Sequence, residues 1–309
     1  MLKNIFMDKD FKLRSGWKIT IVFMVFFALT LLTQIVIGTV YALSKFLSNP
    51  SLMSNPNKII NTVNFNSFII FISTLSQCIC MIISIFIFWK KFDKKPIKNI
   101  GLINIRRGSR DLILGLIFGG VALTLVFFIL YATGNIKLIG SFYSPNFSIS
   151  ALTGLILFIF VGINEEMFAR GYCFTVLRQS TNKWIAIVVS SIIFAAMHSF
   201  NAGISFLGYV NLFLFALLAL YMAIKSKNLW MSIGFHTTWN YFEGNVFGFL
   251  VSGNETNGIY TVRNTSSNII NGGSFGPEGG LTVTLVIIII FIFIWKFYTP
   301  KSTVENTYI

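Results

Sequence analysis

Apolar residues along the chain gather into eight long blocks, at about 17–44, 67–89, 112–133, 150–178, 184–201, 206–224, 228–251 and 281–298. A helix needs about 20 residues to cross a hydrocarbon core about 30 Å thick. The fifth block is marginal in length, and the fourth is long enough to tilt. The pattern predicts an all-α fold, a polytopic transmembrane helical bundle of about eight spans. It divides into an N-terminal segment at 1–16, a transmembrane helical domain at 17–298 and a tail at 299–309. The stretches between the first two spans and after the seventh are rich in Asn, Ser and Gly and read as solvated connections. No internal repeat is visible, so an inverted-repeat transporter gains no support.

Composition strengthens this reading. Of the 309 residues, 55% are hydrophobic and 11% charged, where soluble domains carry about 25% charged residues. Mean hydropathy is +0.75. The formal charge of +14 is not read as nucleic-acid binding, because the basic residues flank apolar blocks and so orient helices in a bilayer. With the N-terminus in the cytoplasm, the loop carrying Lys90, Lys91, Lys94, Lys95, Lys98, Arg106, Arg107 and Arg110 falls inside. So do the turns with Arg178 and Lys183 and with Lys225 and Lys227, and the C-terminus with Lys296 and Lys301. The outer connections hold only Lys45, Lys58, Lys137 and Arg263. Both termini are therefore expected to be cytoplasmic, and the chain multi-pass in a bacterial-type cell membrane. Lys3, Lys9, Lys12, Arg14 and Lys18 precede or open a first apolar block too long for a signal peptide, which reads as an uncleaved anchor. Cys78, Cys80 and Cys173 form no disulfide or zinc-knuckle pattern.

Ionisable groups are costly inside a bilayer, and here they concentrate. The fourth block holds Glu165, Glu166 and Arg170, the fifth His198, the seventh His236 and Glu243. Both histidines of the chain and three of its ten acids are in this set. Glu166 and Arg170 stand four apart, acid first, the better orientation for a structural pair on one helix face. Glu165 then points about 100° away and needs another partner. A structural pair would need one histidine, not two on different helices. A carboxylate with two imidazoles can activate water or bind a metal.

His236 and Asn240 are four apart and share a face, and Glu243 continues that stripe. Gly234, Thr237, Gly244 and Gly248 beside it allow close helix approach. An imidazole next to a carboxamide can donate to a developing oxyanion. Alone, Asn240 would read as an interhelical hydrogen bond. At 1.5 Å per residue from the nearest cytoplasmic basic residue, Glu165, His198 and Asn240 lie about 20 Å deep and His236 about 13 Å.

The segments Glu165-Glu-Met-Phe-Ala-Arg170, Phe194-Ala-Ala-Met-His198 and His236-Thr-Thr-Trp-Asn240 fit EExxxR, FxxxH and HxxxN. In that order, on three membrane helices, they resemble the CPBP (Abi) family of CAAX prenyl endopeptidases and bacteriocin-processing or immunity proteins. The resemblance covers about 165–240 within a family core at about 150–251. Gly272-Gly-Ser-Phe-Gly-Pro-Glu278-Gly-Gly is similar to a segment that some members carry before their last helix, and it also reads as a flexible glycine-rich loop. The resemblance implies an intramembrane glutamic endopeptidase. Glu165 would be the general base, His198 would orient and activate water, and His236 and Asn240 would stabilise the oxyanion. Glu166 and Arg170 would position Glu165 or bind substrate, with Phe194 and Glu243 supporting. No cofactor is expected. Zinc on Glu165, His198 and His236 is the alternative, although no HExxH pair on one helix is present. The expected partners are a peptide or membrane-protein substrate and lipid, not nucleic acid. Two other readings are a non-catalytic member acting in bacteriocin self-immunity or as a scaffold, and an ion carrier.

Overall fold

The computed structural model describes residues 13–50 and 67–300, together with Phe6 and Met7. Lys3, Lys9, Lys12, Lys58 and Lys301, which entered the charge pattern, lie outside the described residues. The chain divides into two compact units, residues 1–93 and 94–309.

In the first unit, α1 (Ser15–Ser48) packs against α2 (Ser67–Phe88), which continues into a wide π-turn at Trp89–Asp93. Both helices are apolar almost all round, so polar contacts set their register. Gln34 donates to the Ser73 carbonyl and to Ser76 Oγ, each at 3.1 Å. At one end Lys18 Nζ meets Asp93 at 2.6 Å.

The second unit opens with α3 (Ile105–Ala132), whose start is fixed by Asn104 accepting the Arg106 N–H at 2.9 Å. This cap starts the helix seven residues before the apolar block at 112, because Arg106, Arg107 and Arg110 are tolerated on polar first turns. β1 (Ile136–Ile139) follows. Next comes α4 (Ile149–Glu166), which runs through a π-turn at Met167–Cys173 into the short α5 (Phe174–Arg178). α6 (Lys183–Met197) is capped by Asn182 and α7 (Phe206–Ser226) by Ser205. α8 (Trp230–Tyr241) passes into a π-turn at Phe242–Val246, and β2 (Thr261–Asn264) and α9 (Leu281–Phe297) complete the order.

Five helical stretches are long and apolar enough to cross a membrane: Ser15–Ser48, Phe68–Asp93, Ile97–Ala132, Ile149–Arg178 and Phe206–Ser226. α6 and α9 are shorter apolar helices of 15 and 17 residues. The fold is a helical membrane bundle with helices at all eight apolar blocks, but the blocks do not all fill a bilayer's thickness with helix.

α8 lies at the centre of the second unit, and glycines on α3 let the two backbones meet. A Cβ at Gly115 would stand 2.1 Å from the Met231 carbonyl oxygen, and one at Gly119 2.2 Å from that of Phe235. Gly234 on α8 returns the contact, 2.5 Å from Leu112 O. The connection after α8 is built rather than merely solvated. β2 pairs antiparallel with β1, Ile136 opposite Asn264 and Ile139 opposite Thr261. Phe275 is fully buried and Glu278 nearly so.

Candidate active site

Four helices supply the site. Glu165 and Glu166 end α4, just before the π-turn; such wide turns recur at functional sites. That turn buries Arg170, whose Nη1 lies 3.0 Å from Glu166 Oε1. The guanidinium carbon also stands 4.1 Å over the Phe194 ring, a cation–π contact that favours charge in an apolar setting.

His198 is not inside its helix. α6 ends at Met197, and His198 is its C-cap. Its Nδ1 lies 2.9 Å from the Phe194 carbonyl oxygen. A carbonyl only accepts, so Nδ1 carries the proton and Nε2 the lone pair of the neutral ring. His236, buried on α8, is fixed by the same logic from another partner: its Nδ1 lies 2.9 Å from Glu166 Oε1. Phe215 of α7 packs edge-on against His236 at 4.9 Å and near-parallel to Phe194 at 6.0 Å.

Both Nε2 atoms are thereby turned to Glu165. Its Oε2 is 3.9 Å from His198 Nε2 and 3.8 Å from His236 Nε2. These spacings exceed a hydrogen bond, and this oxygen has no hydrogen-bond partner among the described residues. The Glu165 side chain is 21% exposed, whereas that of Glu166 is sealed at 0%. The adjacent acids therefore have separate environments, one partly exposed and free of a close partner at Oε2, the other locked between Arg170 and His236.

Asn240 is buried one turn beyond His236 on α8. Glu243, expected on the same stripe, takes no part in the contacts around Glu165. The wide turn that starts at Phe242 breaks the helical spacing, and neither carboxylate oxygen of Glu243 has a hydrogen-bond partner among the described residues. Zinc fits poorly. Among the described residues no group of three His, Cys, Asp or Glu side chains is disposed to hold a metal ion.

Phe215 and Trp239 escaped the sequence reading. With 34 phenylalanines in the chain, nothing distinguishes Phe215 until α7 is placed against α6 and α8. Trp239 sits inside the HxxxN motif, packs on Phe215 at 5.4 Å and donates Nε1–H to Glu278 at 3.2 Å.

A membrane bundle with a carboxylate facing two imidazoles defines a class of buried hydrolytic or proton-transfer sites. Residues 147–242 match the family model described as type II CAAX prenyl endopeptidase Rce1-like. That span takes in all three motifs and agrees with the family resemblance they carry. No curated protein matches the chain.

Proposed function

We propose that the chain is an intramembrane endopeptidase that hydrolyses a peptide bond with water activated by Glu165 and His198. The observation that carries this reading is the placement of Glu165 Oε2 within 3.9 Å of two Nε2 atoms. These spacings are too long for direct hydrogen bonds and are of the size a bridging water spans.

In this reading Glu165 takes a proton from the water, and the hydroxide oxygen bonds to the substrate's carbonyl carbon. His198 Nε2 accepts the water's second hydrogen bond and orients it. The negative charge that develops on the carbonyl oxygen is met by an N–H of Asn240, and by His236 once its Nε2 has taken up a proton. Glu166 against Nδ1 supports that imidazolium. Glu165 then passes its proton to the leaving amine nitrogen as the C–N bond breaks, so the cycle ends with Glu165 ionised. No metal is required, since general acid–base work by one carboxylate accounts for each proton.

The test is cleavage of a fluorogenic peptide library by the protein in detergent. Glu165→Gln should lower the rate by roughly 10²–10⁴-fold while the protein still accumulates and runs as a single species. A chelator should leave the wild-type rate unchanged. Loss of activity with chelator would move the assignment to a metallopeptidase. Undiminished cleavage by Glu165→Gln would end the reading.

A further inference from the structure

β2 has one paired edge and one open edge. Thr265 donates its N–H to the Asn135 carbonyl at 3.1 Å, and that pair continues the register in which Ile136 faces Asn264 and Ile139 faces Thr261. In an antiparallel ladder, residues that bond the partner strand alternate with residues whose N–H and C=O point away from it. Thr265, Arg263 and Thr261 therefore bond towards β1, while Asn264, Val262 and Tyr260 point away. Tyr260 obeys this, because its N–H goes to the Val246 carbonyl at 2.9 Å, outside β1. Val262 and Asn264 have no main-chain partner on that side among the described residues.

The 245–248 segment covers the start of this edge and then leaves it. Ile259 donates its N–H to the Asn245 carbonyl at 2.7 Å, and a Cβ at Gly248 would overlap the Tyr260 carbonyl oxygen. Gly248 has a φ of 69°, a left-handed conformation that glycine adopts without strain. The chain turns there, and Phe249 donates back to the Glu243 carbonyl at 2.9 Å. The strand runs on without a neighbour, and a cavity of about 310 Å³ lies beside it, lined by Val262 and Asn264 themselves with Gly248, Phe249 and Glu255. Glu255 is exposed and is the only charged residue in that lining.

An unpaired strand edge is a template for another extended chain, with main-chain bonds giving affinity and pockets giving specificity. We propose that this cavity binds a short extended peptide, which adds to β2 as a third strand and sets a basic side chain against Glu255. Val262 and Asn264 are two positions apart, about 7 Å along the strand, so their outward N–H and C=O groups hold about three peptide residues. The cavity, at about 310 Å³, is at the small end of ligand sites, in keeping with a segment of that length. Glu255 repels an acidic residue at the same place, so the site selects by charge as well as by extended shape. This site stands independently of the peptidase reading, and its test does not use cleavage.

The probe is a dye-labelled, end-blocked pentapeptide of alternating valine and threonine with lysine at its centre, titrated with the full-length protein in detergent and followed by fluorescence polarisation. The wild type should bind it saturably. Glu255→Gln should weaken binding roughly threefold to fivefold and leave unchanged the affinity for the same peptide with glutamine at its centre. Val262→Pro removes an N–H that points away from β1, a place where a strand tolerates proline, and should weaken binding roughly tenfold. A peptide N-methylated at its central residues should bind the unaltered protein as weakly, which reads the edge without any change to the fold. No saturable binding would overturn the proposal. So would binding that neither Val262→Pro nor N-methylation weakens, since the peptide would then lie elsewhere, and equal affinity for the lysine and glutamine peptides would overturn the role of Glu255.

Discussion

Glu166 and Arg170 are a charged pair with side chains 0% and 2% exposed. Removing one member strands the other, a loss of about 3–5 kcal/mol for buried pairs. Arg170→Met should therefore lower the unfolding midpoint in detergent sharply. Glu166→Gln should do so as well and also release His236 Nδ1 from its 2.9 Å contact. The double replacement Glu166→Gln with Arg170→Met should cost less than the sum of the two, and a double-mutant cycle on unfolding checks this. Asn240→Ala belongs to a different class. If it serves only the oxyanion, it should leave the midpoint within a degree or so and lower turnover by roughly 10²–10³-fold. These groups were legible in the sequence because ionisable residues stand out in apolar blocks, and both histidines fell among them. Phe215 carries no such signal, and Glu278 lies in a glycine-rich loop that reads equally well as a flexible connection.

Between elements, α3 and α8 are held by absence of side chain. Gly115 and Gly119 leave no room for a Cβ against the Met231 and Phe235 carbonyl oxygens. Gly115→Val should push the helices apart at a cost of roughly 1–3 kcal/mol or more, read as a lower unfolding midpoint and a broader size-exclusion peak. Gly38→Val on α1 is the matched control: nothing lies within 4 Å of its Cβ position, so the midpoint should barely move. The helices themselves follow from hydrophobic block length, which is why all eight blocks contain one. Their ends do not. The start of α3 depends on the Asn104 cap, and the ends of α4 and α8 on π-turns, which a hydropathy pattern does not encode. The pairing of β1 with β2 joins four-residue strands more than 120 residues apart in sequence and leaves no periodicity long enough to read.

At the scale of the whole molecule, the orientation expected from the charge pattern can be tested directly. If the basic loops are cytoplasmic, Lys95 and Ser144 face opposite sides of the membrane, because only α3 lies between them as a span. Both positions are exposed. The native cysteines Cys78, Cys80 and Cys173 are all buried, so the unmodified chain should give little background with a membrane-impermeant maleimide. In intact cells Ser144→Cys should label and Lys95→Cys should not; in inverted vesicles the result should reverse. Orientation also bears on the site, because Glu165 is about 13 residues, or about 20 Å, from Arg178 at the basic end of α4–α5. Labelling of Lys95→Cys from outside would invert the topology.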